Sequence, residues 1–186
     1  MNEKGHAMQA MRLVAVLAVA ASEVYAEGAT RRLVISIPDR KVALIEDGRV
    51  VKVYPVAVGK SSTPSPRGTF HIASRVQHPT WYQPGKVVGP GPANPLGTRW
   101  MGLGFKGYGI HGTNMPLSVG KAASHGCIRM RNHDVEELFS LVQVGDPVEL
   151  TTEVGPDLAE AFGENKPGAS GTETMTAAVA GLGDAQ

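Results

Sequence analysis

Residues 110–130 read IHGTNMPLSVGKAASHGCIRM and contain the one cysteine of the 186-residue chain. His111 ends a predicted strand over residues 108–111, and Cys127 follows after a loop of 15 residues. If the segments on either side of this loop lie next to each other in a β-sheet, the imidazole and the thiol come within hydrogen-bond reach. The pattern therefore predicts a β-rich domain that places a cysteine beside a histidine.

The sequence on both sides of this segment favours short strands. Asp47-Gly48 is a strong two-residue hairpin signal, and Pro55 indicates an edge strand or a bulge shortly after it. The β-rich runs are residues 33–37, 41–45, 50–58, 69–73, 100–105, 108–111 and 147–151. Many short strands with one short helix predict a mainly β fold, a sandwich or barrel-like domain over residues 31–152.

The one convincing helix is predicted over residues 132–142. Asn132 suits the N-cap, and an apolar stripe follows it at helical spacing. The stripe consists of Val135, Leu138, Phe139 and Val142. A stripe of this kind is typical of a helix that packs on a core, so we do not assign it to a functional site.

A long Gly- and Pro-rich stretch, HPTWYQPGKVVGPGPANPLGT, occupies residues 78–98. Loops of this length are unusual in compact domains and often carry function. A lid over a site and a simple connector both agree with this composition.

The start of the chain resembles an export signal. Lys4 and Arg12 precede an apolar run over residues 13–21, and a cleavage motif with small residues ends at Ala26. This order predicts a secretory signal peptide over residues 1–26, with a core helix as the alternative. The apolar run is too short for a stable membrane anchor. We therefore expect an exported protein, in the periplasm or associated with the cell wall.

The end of the chain differs in composition from the middle. From Glu153 onward Ala, Gly, Thr and Glu dominate, with few bulky apolar residues. Such a segment buries too little apolar surface to order itself, which predicts a low-complexity, disordered tail over residues 153–186. A short helix near residues 156–162 is the alternative.

The overall charge and composition do not favour a nucleic-acid partner. The formal net charge is +1, and aromatic residues make up only 5% of the chain. A nucleic-acid-binding domain usually shows a basic patch or stripe, and no basic run stands out here. Hydrophobic residues make up 42% of the chain, which is enough to build a core.

The residues around Cys127 suit nucleophilic catalysis. His111 can act as a base that removes the thiol proton, or as a cation that stabilises the thiolate. The carbonyl of Gly112 is available to hold the other imidazole nitrogen. Gly126 removes a side chain where a substrate carbonyl would approach. Arg129 shares the face of Cys127 in an extended segment, where its guanidinium can bind a carboxylate.

Two other interpretations of these residues stay open. Cys127 can be a small buried core residue, and the histidines can be ordinary partly buried ones. Cys127, His111 and His125 can also form a zinc site, although the remaining histidines show no ligand spacing. The expected export favours catalysis, because an unpaired cysteine outside the cytoplasm is prone to oxidation.

Several of these motifs together resemble the L,D-transpeptidase catalytic domain family, also called YkuD. His111-Gly112-Thr113 followed by residues 124–130, SHGCIRM, resembles the family signature. Residues 116–121 and Asn132 resemble the family as well. So do the earlier strands, in residues 56–59 and 63–70. The resemblance covers about residues 31–152 and shows no departure at a catalytic position.

The resemblance implies roles for individual residues. Cys127 would be the nucleophile and His111 its base, with the Gly112 carbonyl orienting the imidazole. The substrate-binding residues that it implies are Ser124, His125, Gly126 and Arg129. The family needs no metal and no cofactor is implied, and a carbapenem is expected to acylate Cys127 as a covalent inhibitor.

The resemblance also implies a reaction in cell-wall biogenesis. Cys127 would attack the bond between meso-diaminopimelate and D-alanine in a peptidoglycan tetrapeptide stem. D-Alanine would leave, and an amine acceptor, either a second stem peptide or a lipoprotein lysine, would take the acyl group. With water as acceptor the same residues would make an L,D-carboxypeptidase or another peptidoglycan hydrolase. A non-catalytic wall-binding module is a third hypothesis, which the intact motif disfavours.

Overall fold

A computed structural model describes residues 30–105 and 107–164. The predicted signal peptide lies outside the described residues, and so do residues 165–186 of the predicted tail. The strands are β1 (Arg31–Ser36), β2 (Lys41–Glu46), β3 (Arg49–Pro55), β4 (Val58–Gly59), β5 (Gly68–His71), β6 (Ser74–Gln77), β7 (Trp81–Gln83), β8 (Lys86–Val88), β9 (Arg99–Gly102), β10 (Gly109–His111), β11 (Ala122–Ser124), β12 (Ile128–Arg129) and β13 (Pro147–Thr151). The helices are α1 (Asn132–Leu141), α2 (Pro156–Glu164) and a short 3-10 turn (Pro116–Ser118).

Two sheets form the body of the described chain. One has five strands in the order β3-β2-β1-β13-β5, and the other has four in the order β12-β10-β9-β6. Two small two-stranded sheets, β11-β4 and β7-β8, accompany them. The mainly β prediction is confirmed. The sheets do not close into a barrel, so the fold is the sandwich-like form of that prediction.

The main hydrophobic core lies between the two sheets and α1. Because successive side chains of a strand point to opposite faces, Leu33 and Ile35 of β1 enter this core while Val34 between them does not. Met101 and Ile110 face the same core from the four-stranded sheet and are fully buried. The continuous apolar runs of β1 and β2 follow from this arrangement, since both of their faces are covered.

The second helix covers the other face of the five-stranded sheet, where the sequence predicted a disordered tail. Phe162 of α2 is only 3% exposed and joins Val34, Ala43 and Ile45 in a second apolar cluster. Lys41 donates a side-chain hydrogen bond to the Phe162 carbonyl. Residues 156–164 therefore form the short helix that was the alternative to a disordered tail. A few apolar side chains at helical spacing are enough to cover an already formed sheet.

The structure corrects the prediction for the start of α1. Asn132 is the first helical residue and makes no N-cap bond, since the N-cap position belongs to Arg131. The Asn132 side chain accepts hydrogen bonds from the backbone N–H groups of Thr98 and Thr113 instead. The apolar stripe of α1 packs in the core as expected, with Val135, Leu138 and Phe139 buried.

Two predicted segments are subdivided in the structure. The strand predicted over residues 50–58 ends at Pro55, on the edge strand β3, and resumes as β4. The stretch 78–98, predicted as one long loop, contains the hairpin β7-β8, which turns through Gly85 at φ 75°.

Among the described residues, no helix has the length and apolar character needed to cross a membrane.

Candidate active site

The register of the four-stranded sheet places the candidate residues on one face. Strand β10 lies parallel to β12, with Ile110 opposite Ile128 and His111 opposite Arg129. Paired residues of neighbouring strands point to the same face, and the next residue along each strand points to the other face. Ile110 and Ile128 are fully buried in the core. His111 and Arg129 therefore point away from the core, together with Cys127, two residues before Arg129.

A cavity of about 820 Å³ lies over this outer face. Cys127, His111 and Arg129 all line it, which is what the register predicts. The remaining lining residues are Val76, His78, Pro79, Thr80, Trp81, Tyr82, Pro95, Leu96, Trp100, Gly107 and His125. The cavity thus combines one thiol, one guanidinium and several imidazoles with aromatic and aliphatic walls, and none of the described carboxylates lines it.

His111 is held as a buried, neutral imidazole. Its Nδ1 lies 2.6 Å from the carbonyl oxygen of Gly112, and its ring stacks on Trp100 at 5.6 Å between centroids. Burial lowers the pKa of His111 to about 4. Backbone hydrogen bonding by Gly112 and Leu96 acts to raise this pKa, whereas the positive charge of Arg129 lowers it further. A carbonyl only accepts hydrogen bonds, so Nδ1 carries the proton and Nε2 has the free lone pair.

Cys127 is held as a neutral thiol. Burial raises the pKa of Cys127, against the opposing effects of a backbone hydrogen bond with Gly109 and the charge of Arg129. The thiol donates a hydrogen bond to the carbonyl oxygen of Gly107 at 3.3 Å. Of the two possibilities that the sequence left open, this favours general-base removal of the thiol proton by His111 at the moment of attack, and not a standing thiolate–imidazolium pair.

The other predicted site residues lie in two different environments. His125 is exposed and lines the cavity, as Arg129 does, so both can contact a substrate. Ser124 is fully buried, donates to the Cys127 carbonyl oxygen at 2.5 Å and accepts from the Gly126 N–H at 3.0 Å. In the structure Ser124 braces the turn that presents Cys127, and its assignment to substrate binding stays a prediction.

The neighbours of Gly126 require a glycine at this position. It has φ 112°, and a Cβ on it would lie 2.6 Å from Cε1 of Tyr108. Any side chain at position 126 would therefore clash with the Tyr108 ring, and the predicted role of Gly126 in substrate approach stays a prediction. The catalytic roles of Cys127, His111 and Gly112 stay predictions; Cys127 and His111 line one cavity, and the Gly112 carbonyl oxygen contacts Nδ1 of His111.

The aromatic wall of the cavity was not predicted from the sequence. Trp81 and Tyr82 belong to the β7-β8 hairpin, and Tyr82 is 73% exposed. Trp100 lies beneath His111 and requires a glycine at position 109, because a Cβ there would come within 2.6 Å of its ring. The Pro84-Gly85 pair between two apolar runs was a turn signal that indicated the hairpin.

The described part of the chain contains no set of side chains that could bind zinc. Within residues 30–105 and 107–164, no three His, Cys, Asp or Glu side chains form a group that could hold a metal ion. The Nδ1 atom of His111 is occupied by a backbone carbonyl.

Residues 30–150 match the sequence profile of the YkuD family, described as the L,D-transpeptidase catalytic domain. The chain belongs to this family. It is 46% identical over 120 residues to the YkuD protein of Bacillus licheniformis, which is assigned as an L,D-transpeptidase. That match covers 64% of this chain and 65% of the relative. The YqjB protein of Bacillus subtilis, with the same assignment, is 41% identical over 124 residues, covering 64% of this chain and 70% of the relative.

Solved structures of L,D-transpeptidases share the fold. An enzyme from Mycobacterium smegmatis superposes with a TM-score of 0.57 at 25% identity, covering 67% of this chain and 59% of that one. The L,D-transpeptidase LdtMt1 in complex with imipenem superposes with a TM-score of 0.56 at 26% identity, covering 67% of this chain and 60% of that one. The YkuD domain is thus the part that this chain shares with these relatives, and the match spans 65% of the length of the Bacillus licheniformis protein.

Proposed function

We propose that this YkuD-family chain is an exported, cysteine-dependent peptidoglycan L,D-transpeptidase that forms an acyl-enzyme on Cys127. The observation that carries the proposal is the shared face of the four-stranded sheet, where Cys127, His111 and Arg129 line one cavity. The family membership and the signal-like residues 1–26 support the substrate class and the export.

The first half-reaction follows from the neutral state of the pair. Nε2 of His111 takes the proton of Cys127 as Sγ attacks the carbonyl carbon between meso-diaminopimelate and D-alanine. The C–N bond then breaks, the proton passes from His111 to the leaving amine, and D-alanine departs. A thioester to Cys127 stays behind, so no cofactor is needed to conserve the bond energy.

The second half-reaction returns the enzyme to its starting state. An amine of a second stem peptide or of a lipoprotein lysine loses a proton to His111 and attacks the thioester. The C–S bond breaks and the thiolate recovers the proton. Arg129 and His125 line the same cavity, which suits binding of the carboxylates of the stem peptide.

The test is a product assay with purified tetrapeptide stems. We expect mass spectrometry to show an acyl adduct on Cys127, then cross-linked dimer. Tripeptide without dimer would reject the transferase in favour of the hydrolase, since water would be the acceptor. Unchanged wall cross-linking with the Cys127→Ala variant in cells would favour a non-catalytic wall-binding module.

A carbapenem offers a second, simpler acyl donor. A related structure holds imipenem, and we propose that imipenem acylates Cys127 of this chain in the same cavity. His111→Ala should abolish most of this acylation while the fold persists. Normal adduct formation in that variant would exclude His111 as the base.

A further inference from the structure

Asn132 lies at the start of α1 and is not among the residues that line the cavity. Its side-chain oxygen accepts a hydrogen bond from the backbone N–H of Thr113 at 3.1 Å and from that of Thr98 at 3.3 Å. An amide oxygen has two lone pairs, so both acceptor positions are used. The side chain thus ties the segment that follows His111 to the segment that carries Leu96 into the cavity wall.

The peptide unit between Gly112 and Thr113 stands between Asn132 and His111. Its N–H donates to Asn132, while its C=O accepts from Nδ1 of His111 at 2.6 Å. A trans peptide is planar, and its C=O and N–H point in opposite directions. Fixing the N–H therefore fixes the direction of the carbonyl that holds the imidazole.

The surrounding backbone is shaped around the Asn132 oxygen. A Cβ on Gly97 would lie 2.1 Å from this oxygen, and a Cβ on Gly112 would lie 2.2 Å from it. Both distances are far inside van der Waals contact, so any larger residue at either position would displace the amide. Asn132 makes no N-cap bond to its own helix, so helix capping does not explain its orientation.

We propose that Asn132 is a positioning residue for His111, acting through the Gly112–Thr113 peptide. It holds the imidazole in the tautomer with the proton on Nδ1, which leaves Nε2 free to take the thiol proton. This inference rests on the proposed function for its effect on rate, but its effect on the tautomer does not. Through Thr98, Asn132 also restrains the segment that carries Leu96 into the cavity wall.

The test compares three substitutions at this position. Asn132→Leu keeps the side-chain shape without the oxygen, Asn132→Ala removes the oxygen without added bulk, and Asn132→Asp keeps an oxygen acceptor. Asn114→Ala is the matched control, because the Asn114 side chain also links these two segments, by donating to the Ala93 carbonyl oxygen at 3.1 Å, without contacting the Gly112–Thr113 peptide. Imipenem acylation is followed by mass spectrometry, and the His111 tautomer by its ring ¹⁵N chemical shifts.

We expect the Leu and Ala variants to be acylated about tenfold to a hundredfold more slowly, and to show mixed tautomers. The Asp variant and the control should stay within about threefold of the parent and keep a single tautomer. Parent-like rate and tautomer in the Ala variant would overturn the proposal, even if the Leu variant does not fold. If imipenem fails to acylate the parent protein, the proposed function fails, and the tautomer comparison alone decides the role of Asn132.

Discussion

At the scale of single residues, burial decides the protonation of the candidate pair. It moves the pKa of His111 down and the pKa of Cys127 up, so both groups are neutral around pH 7. The backbone hydrogen bonds oppose the shift without cancelling it. In the proposed reaction, a neutral pair of this kind keeps the thiol unreactive until a substrate arrives.

This neutral pair predicts the pH dependence of acylation. The imidazole must be unprotonated to act as a base, and it protonates only near pH 4. Imipenem acylation rates should therefore be nearly constant between about pH 6 and 8 and should fall as the pH approaches 4. Initial rates from mass spectrometry would check this. An acidic limb centred near pH 6.5, the ordinary value for histidine, would contradict the buried neutral state.

The same shift predicts a pH dependence of stability. The folded state binds the His111 proton less tightly than the unfolded state, so unfolding takes up a proton between pH 6.5 and about 4. The stabilisation is present above pH 6.5 and is lost as the pH falls towards 4, on the order of 3 kcal/mol in total. Urea unfolding across this range should show the loss in the parent and a smaller one in His111→Gln. Parallel curves for the two proteins would contradict it.

Ser124 predicts a separate, structural effect. Ser124→Ala leaves the buried Gly126 N–H without its acceptor and the Cys127 carbonyl without its donor. We expect a loss of about 1–3 kcal/mol in the free energy of unfolding, measured by urea denaturation. Ser140→Ala is the control, because its hydroxyl bonds to the Glu137 carbonyl on the exposed side of α1, and it should cost under about 0.5 kcal/mol. Equal losses would argue against the brace.

At the scale of elements, α2 explains why the predicted domain end at residue 152 is too early. Its only strongly buried side chain, among those described, is Phe162, which packs on the outer face of β1 and β2. Without α2, Val34, Ala43 and Ile45 would lie open to water. The helix is thus part of the folded unit, although it lies beyond the matched YkuD segment.

Phe162→Ala tests this packing. Removing the ring should lower the free energy of unfolding by about 3 kcal/mol, because it leaves a cavity over the sheet. Glu160→Ala on the exposed side of α2 is the control and should have little effect. Truncation after residue 164 should leave stability unchanged, whereas truncation after residue 152 should lower it. Equal stability of both truncated proteins would show that α2 does not contribute.

At the scale of the whole molecule, one core joins the parts. The main cluster takes side chains from both sheets and from α1, and β1 pairs with β13 from the other end of the domain. We therefore expect a single unfolding transition, in which far-UV circular dichroism and tryptophan fluorescence coincide. The fluorescence of Trp81 reports on the β7-β8 hairpin, and that of Trp100 reports on the four-stranded sheet. Two separated transitions would show that the sheets unfold independently.

The residues of the candidate site could be predicted from sequence because their chemistry is local. The SHGCIRM motif, the preceding HGT and the contact between His111 and the Gly112 carbonyl involve neighbours along the chain. The mainly β fold could be predicted for the same reason, since strand alternation and turn dipeptides are local signals.

The tertiary structure alone decided what depends on contacts between distant segments. The burial that holds His111 and Cys127 neutral, the Tyr108 ring beside Gly126 and the place of α2 all result from packing of segments far apart in sequence. So does the turn of the Asn132 side chain away from its own helix, because two loops present it with backbone donors. Local sequence sets which groups are available, and the burial and partners supplied by the fold set what those groups do.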